Sequence, residues 1–125
     1  MLLAACGLFF FAGTGFGASP AWLTAHDDEI RALVARMTLE EKVGQMTQPD
    51  SGALTDRADI QRLFLGSVLS GGSSDPKTGN ERSDWAQLYL ECQTQALKTR
   101  LAIPLLYGID ALHGHNNVLG SASIP

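Results

Sequence analysis

The chain has 125 residues, of which 45% are hydrophobic and 18% charged, and its formal net charge is −4. That length supports one small domain with a modest core, and the composition is not that of a disordered chain. The acidic balance and the lack of a Lys/Arg run argue against a nucleic-acid partner.

Residues 1–17 carry no charged side chain and are rich in Leu, Ala, Phe and Gly. The stretch is too short and too glycine-rich for a comfortable membrane span. It matches the apolar region of a secretory signal, with Gly15 and Gly17 as small residues before a cleavage point. No basic residue precedes it, so the start at Met1 falls inside the true signal on this reading. Leu3-Ala4-Ala5-Cys6 resembles a lipoprotein attachment box, but Cys6 precedes most of the apolar region. The expectation is therefore a signal-like segment over 1–18 and an exported protein, periplasmic or extracellular, with a lipid anchor at Cys6 as the alternative. Cys92, the other cysteine, lies in a helical pattern. Neither a disulfide between the two nor a cysteine zinc site is expected.

The folded portion is assigned to 19–125. Ile30, Leu33, Val34 and Met37 share one helical face, and Asp27 or Asp28 can cap that helix. Thr38-Leu39-Glu40-Glu41 is a capping box that opens a second helix over 39–45. Residues 46–48 read as a short extended piece stopped by Pro49, and 50–55 as loop. A weak helix spans 56–65, with Ile60, Leu63 and Phe64 inward and Gly66 at its end. Residues 67–70 read as a short strand, and 71–80 as a Gly/Ser/Asp/Pro-rich loop. Asn80 or Ser83 opens the clearest helix, where Trp85, Leu88, Tyr89, Cys92 and Ala96 form one apolar stripe. Residues 103–109 read as a buried strand with Pro104 at its entrance and Asp110 just past its end. Strand, helix, strand is the rhythm of an α/β protein with parallel strands. Two strands cannot bury both faces of such a sheet, which points to a truncated chain.

Ligands of parallel α/β proteins bind beyond the carboxyl ends of the strands. Residues 70–75 and 110–117 occupy such places. A carboxylate at Asp110 can accept two hydrogen bonds from neighbouring sugar hydroxyls, and bonds to an ionised acceptor are strong. The alternative for Asp110 is a turn residue bonding the next amides. His113 and His115 form an H-x-H pair that could ligate a metal, or they could simply hold the loop. Gly71-Gly72 lacks the further glycines and lysine of a phosphate loop and reads as a tight turn. Trp85 and Tyr89 read as core, and Asn116 and Asn117 as loop supports.

Three ordered stretches resemble family 3 glycoside hydrolases: residues 37–48 (MTLEEKVGQMTQ), 66–72 (GSVLSGG) and 99–118 (TRLAIPLLYGIDALHGHNNV). The secreted β-glucosidase branch is the nearest in pattern. After Val118 the family's usual Gly-Ala-Thr and aromatic before Pro are altered here. The resemblance implies the leading part of a (β/α)8 TIM-type barrel, incomplete in this chain, since such barrels run to about 250 residues. It implies a retaining β-glucosidase acting at the non-reducing end of β-glucosides or β-glucan oligosaccharides. Asp110 would bind hydroxyls of the glycosyl unit in the cleaved subsite, with His113 in a supporting role. Both catalytic carboxylates would lie beyond residue 125, so this chain alone is expected to be inactive. No cofactor is implied. Two alternatives differ in class: a catalytically inactive sugar-binding barrel, and a metal-dependent barrel hydrolase using His113 and His115.

Overall fold

A computed structural model describes residues 20–112, 114, 115 and 117–121. Helix α1 (Ala21–Thr24) is one turn, and α2 follows at Asp27–Ala35. His26, not an aspartate, occupies the cap of α2, and no side chain caps it. Asp27, Asp28 and Glu29 instead fill the first turn, where carboxylates suit the positive end of the helix. The expected apolar face exists but is largely open: Ile30 and Val34 are exposed, and Leu33 and Met37 are only partly covered.

Helix α3 (Leu39–Gln45) has the predicted bounds and the predicted capping box. Glu41 Oε2 accepts from the Thr38 amide at 2.9 Å, and Thr38 Oγ1 accepts from the Glu41 amide at 3.3 Å. Glu41 is also 5% exposed and takes a second partner, Arg100. Arg100 Nε donates to Oε1 at 3.2 Å and Nη2 donates to Oε2 at 2.7 Å. Nη2 further donates to the Arg36 carbonyl at 2.9 Å. One guanidinium thus joins the end of α2, the start of α3 and the approach to the last strand.

A 3-10 turn (Ser51–Ala53) and a one-turn helix α4 (Asp59–Arg62) come next. The expected helix over 56–65 is shorter because Asp56 Oδ1 accepts from the Ala58 amide, closing a turn before it. The helix stops at Arg62 with Leu63 as its cap, and Phe64, not Gly66, supplies the left-handed residue that follows. Phe64 adopts φ 54°, and the Leu65 amide reaches back to the Ile60 carbonyl at 3.0 Å, a left-handed helix ending. This geometry buries Ile60 and Leu65 but leaves Leu63 56% exposed, contrary to the expected inward face. Gly66 serves a different purpose: a Cβ there would lie 2.2 Å from the Gln45 carbonyl oxygen. Its missing side chain lets the chain cross the end of α3, where the Gly66 amide donates to the Gly44 carbonyl at 2.9 Å.

Strand β1 (Ser67–Gly71) pairs in parallel with β2 (Leu106–Asp110), in a register that sets Val68 opposite Tyr107 and Gly71 opposite Asp110. Between them runs α5 (Arg82–Ala96), whose cap is Glu81, its amide donating to Asp84 Oδ2 at 3.0 Å, not Asn80 or Ser83. The chain just past Pro49 also joins the sheet at one point, since Asp50 forms a parallel bridge with Leu69.

The core is Ile60, Leu65, Val68, Leu88, Cys92, Ala96 and Leu105, with Leu54 and Tyr107 packed against it. Trp85 is buried as well, but Tyr89 is exposed and meets Tyr107 edge to face with ring centroids 5.8 Å apart. Strand β2 is less buried than its apolar sequence suggests, with Leu106 75% exposed. Side chains alternate across a strand, so Val68 and Ser70 turn towards the core. Leu69 and Gly71, with Leu106, Gly108 and Asp110, fall on the other face, which no described helix covers.

Glu41 generates an acid dependence. The Arg100 hydrogen bonds, then the Thr38 amide, hold its carboxyl below the ordinary 4.5. A depressed folded value means that the stabilisation is present above the unfolded pKa and fades as pH falls through the folded one. Arg100→Met should lower the denaturation midpoint of the chain by several degrees at neutral pH. The deficit against wild type should narrow as pH falls through the acid range and Glu41 takes up its proton. A deficit that stays constant from neutral pH down through the carboxylate range would contradict this account.

Cys92 is a free, buried thiol whose pKa burial raises, so little thiolate forms. Alkylation of the native chain at neutral pH should leave Cys92 unmodified, and denaturant should expose it to stoichiometric reaction. Mass mapping of alkylated peptides checks both states.

Candidate functional site

The carboxyl ends of β1 and β2 lie side by side, and Asp110 is the last residue of β2. It is exposed. Its register partner is Gly71, where a Cβ would approach the Asp110 Cβ to 2.4 Å. Glycine at 71 therefore leaves room for the aspartate beside it, and Gly72, at φ 59°, turns the chain away immediately afterwards. The Gly71-Gly72 pair thus acts as the tight turn expected from its sequence.

Beneath this edge three hydroxyls join the parallel segments. Tyr107 on β2 and Ser70 on β1 are hydrogen-bonded at 2.7 Å, and Ser70 Oγ donates to Ser51 Oγ at 2.6 Å. Ser51 Oγ in turn donates to the Ser74 carbonyl at 3.3 Å. Ser51 and Ser70 are both fully enclosed, and each finds partners, as buried hydroxyls must. Burial pushes the Tyr107 phenol up, opposed by its bond to Ser70.

Asp50 stands at the end of the segment bridged to β1. Its carboxylate accepts from Ser74 Oγ at 2.6 and 2.5 Å and from the Gly52 amide at 2.7 Å. The Ser74 bond holds the Asp50 carboxyl below its ordinary range against the desolvation cost, with the Gly52 and Ala53 amides helping. Sequence reasoning placed Asp50 in a loop and missed it. The available clue was its position one residue past Pro49, at the end of an extended piece, which is where strand-end residues of α/β folds gather.

The two loops beyond the strands are tied to each other by side chains. Asn117 Nδ2 donates to Asp75 Oδ1 at 2.5 Å and to the Gly72 carbonyl at 2.9 Å. Asp75 Oδ2 accepts from Asn80 Nδ2 at 3.2 Å, and Asn80 Oδ1 accepts from Trp85 Nε1 at 3.2 Å. The Trp85 ring meets His115 edge to face, centroids 4.4 Å apart, and the His115 Nε2 is enclosed without a hydrogen-bond partner. Trp85 is thus core on one side and a loop support on the other, and Asn117 supports the loop as expected. His113 and Asn116 lie outside the described residues.

No group of three His, Cys, Asp or Glu among the described residues could hold a metal ion. A cleft of about 230 Å3, lined by Leu54, Arg57, Pro76, Lys77, Asp84 and Glu91 among others, runs along α5, and Asp110 is not among its walls. An apolar groove of about 530 Å3 lies between α3 and the 62–65 segment, also away from Asp110. No described helix is long and apolar enough to cross a membrane.

Two curated relatives share this chain's pattern. "Lysosomal beta glucosidase" of Dictyostelium discoideum is 28% identical over 120 residues, covering 83% of this chain and 15% of that protein. "Beta-glucosidase C" of Emericella nidulans is 30% identical over 102 residues, covering 76% of this chain and 16% of that protein. The chain therefore spans about one-sixth of the length of the relatives it matches. Residues 38–125 match the glycosyl hydrolase family 3 N terminal domain, a span that contains the Thr38 capping box, β1, α5, β2 and Asp110. By that match the chain belongs to glycosyl hydrolase family 3.

Proposed function

We propose that this chain is the leading part of the barrel domain of an exported retaining β-glucosidase, and that Asp110 grips the glycosyl unit to be cleaved. The observation that carries the reading is the placement of Asp110: an exposed carboxylate at the carboxyl end of a parallel strand, with a glycine beside it. Binding sites of parallel α/β folds occupy such strand ends. An ionised carboxylate there has lone pairs for two adjacent hydroxyls of a pyranose. The family match and the names of the two relatives support β-glucosides as substrate.

In this proposal residues 19–125 are the N-terminal portion of a (β/α)8 domain, and residues 1–18 direct export to the periplasm or the exterior. The apolar, uncharged composition of that first segment supports export. His113 supports the loop that follows Asp110. Cleavage would use a carboxylate nucleophile and a carboxylic general acid about 5–5.5 Å apart, both supplied by chain beyond residue 125. Asp110 is then not a participant in bond making. It fixes the sugar ring so that the anomeric carbon faces the nucleophile, and it contributes through positioning. Glu41 and Asp50 are engaged in capping, ion-pair and turn bonds and are not assigned to catalysis.

Two measurements test this. The purified 125-residue chain should release no nitrophenol from a nitrophenyl β-glucoside, and turnover that survives removal of contaminating enzyme would contradict the placement of the catalytic carboxylates. In the complete enzyme, Asp110→Asn keeps the shape and removes the charge. It should weaken substrate binding by about 1.5–3 kcal/mol, the range for hydrogen bonds to charged groups. Unchanged affinity and rate would refute the hydroxyl grip.

A further inference from the structure

The loops after β1 and β2 leave the sheet from one register pair, Gly71 and Asp110, and then meet again. The β1 loop turns at once, with the Ser74 amide donating to the Gly71 carbonyl at 3.0 Å. It delivers Asp75, partly buried, beneath the second loop. The β2 loop also turns at once: Gly114 sits at φ 95°, and its amide donates to the Ala111 carbonyl at 3.2 Å. It delivers Asn117 onto Asp75 at 2.5 Å. A closed ring results, running from Gly71 through Asp75 and Asn117 to Asp110 and back across the sheet.

Asp75 is the junction of this ring. It holds Asn117 with one oxygen and Asn80 with the other. Asn80 lies at the start of α5, where it also bonds Trp85 and accepts the Leu119 amide on its carbonyl at 2.9 Å. The carboxylate therefore transmits the position of a rigid helix to the loop that begins at Asp110. Both amide donors point at an ionised acceptor, the stronger kind of hydrogen bond. Among the described residues, the polar side-chain bond from the β2 loop to the rest of the fold runs through Asn117, to Asp75 and to the Gly72 carbonyl.

We infer that Asp75 is a positioning residue: by clamping the loop after β2 to the loop after β1, it sets how Asp110 is presented to a sugar. The inference rests on the proposed role of Asp110. Asp75 itself faces Asn80 and Asn117, so it acts on substrate only through its neighbours. A loosened loop would cost binding of the glycosyl unit more than it costs the chemical step, which belongs to other residues. The effect is therefore expected in KM and in product affinity, with a smaller change in kcat.

The test uses the complete enzyme, with a nitrophenyl β-glucoside as substrate and glucose as competitive product inhibitor. Asp75→Ala should raise both KM and the glucose Ki about tenfold, with kcat reduced less than about threefold. Asp75→Asn should fall between wild type and Asp75→Ala. Its amide offers one acceptor, and its NH2 then confronts the remaining donor, so only one of the two bonds survives. Asp75→Ala should add little in an Asp110→Asn background, since both changes act on one grip. Unchanged Ki in both Asp75 variants overturns the inference, and so does a full tenfold loss that persists in the Asp110→Asn background. If Asp75→Ala fails to fold, the same criteria apply to Asp75→Asn alone. An Asp110→Asn enzyme with wild-type affinity removes the sugar grip itself. A weakened Asp110→Asn enzyme beside unaffected Asp75 variants removes only the positioning role.

Discussion

The Glu41–Arg100 pair is the constraint on which the arrangement of the strands depends. Its partners stand 59 residues apart in the chain. Glu41 is buried, and a buried carboxylate is costly unless it is paired and hydrogen-bonded. Here both oxygens are occupied, by the Thr38 amide and by two nitrogens of one guanidinium. Arg100 can meet these demands because its planar fork matches a carboxylate and still leaves a donor for the Arg36 carbonyl. The pair fixes where the chain stands after α5. From there Gln93 takes over, donating to the Leu105 carbonyl at 2.6 Å and accepting the Leu105 amide at 3.0 Å. The Leu106 amide then donates to the Gly66 carbonyl at 2.9 Å, and β2 enters the register that puts Asp110 beside Gly71.

Much of this frame is legible in the residues. The Thr38 box predicts α3 to the residue, because capping is a local, stoichiometric exchange of hydrogen bonds that one tetrapeptide contains entirely. The α5 stripe predicts a helix facing the core through Leu88, Cys92 and Ala96. The two strands follow from apolar runs bounded by glycine and proline, and their parallel pairing from the helix between them. What the residues do not reveal is long-range polar pairing. Nothing in the local pattern distinguishes Glu41, a buried ion-pair partner, from Glu40 beside it, which stays exposed. Asp50, Asp75 and Gln93 are likewise ordinary polar residues until the fold supplies partners. The same holds for Phe64, whose left-handed backbone no aromatic residue advertises. Tyr89 and Leu63 were misplaced for a related reason: helical periodicity marks an apolar face, but the width of that face is decided by what packs on it.

The site itself is partly legible. Asp110 could be picked out as a polar residue at the end of an apolar strand, with a turn residue as its rival reading. Its exposed position at the end of β2 is the observation on which the proposed sugar grip rests. Glycine at 71 gains a meaning that sequence alone lacked. It is small because the aspartate opposite needs the space.

The two faces of the sheet are held by different means, and this bears on how the site is kept in place. The α5 face is closed by apolar side chains together with the buried Ser70 and Ser51 hydroxyls and the half-buried Tyr107. The face that carries Leu106, Gly108 and Asp110 has no helix over it among the described residues, so apolar packing cannot orient the groups there. Orientation has to come from polar contacts at the loop level: Asp50 with Ser74, Asp75 with Asn117 and Asn80, and Asn80 with Trp85. Hydrogen bonds suit this task because they are directional where dispersion is not. An edge that ends in an exposed carboxylate such as Asp110 cannot be covered by apolar packing. Its geometry is set by polar side chains anchored in the closed face.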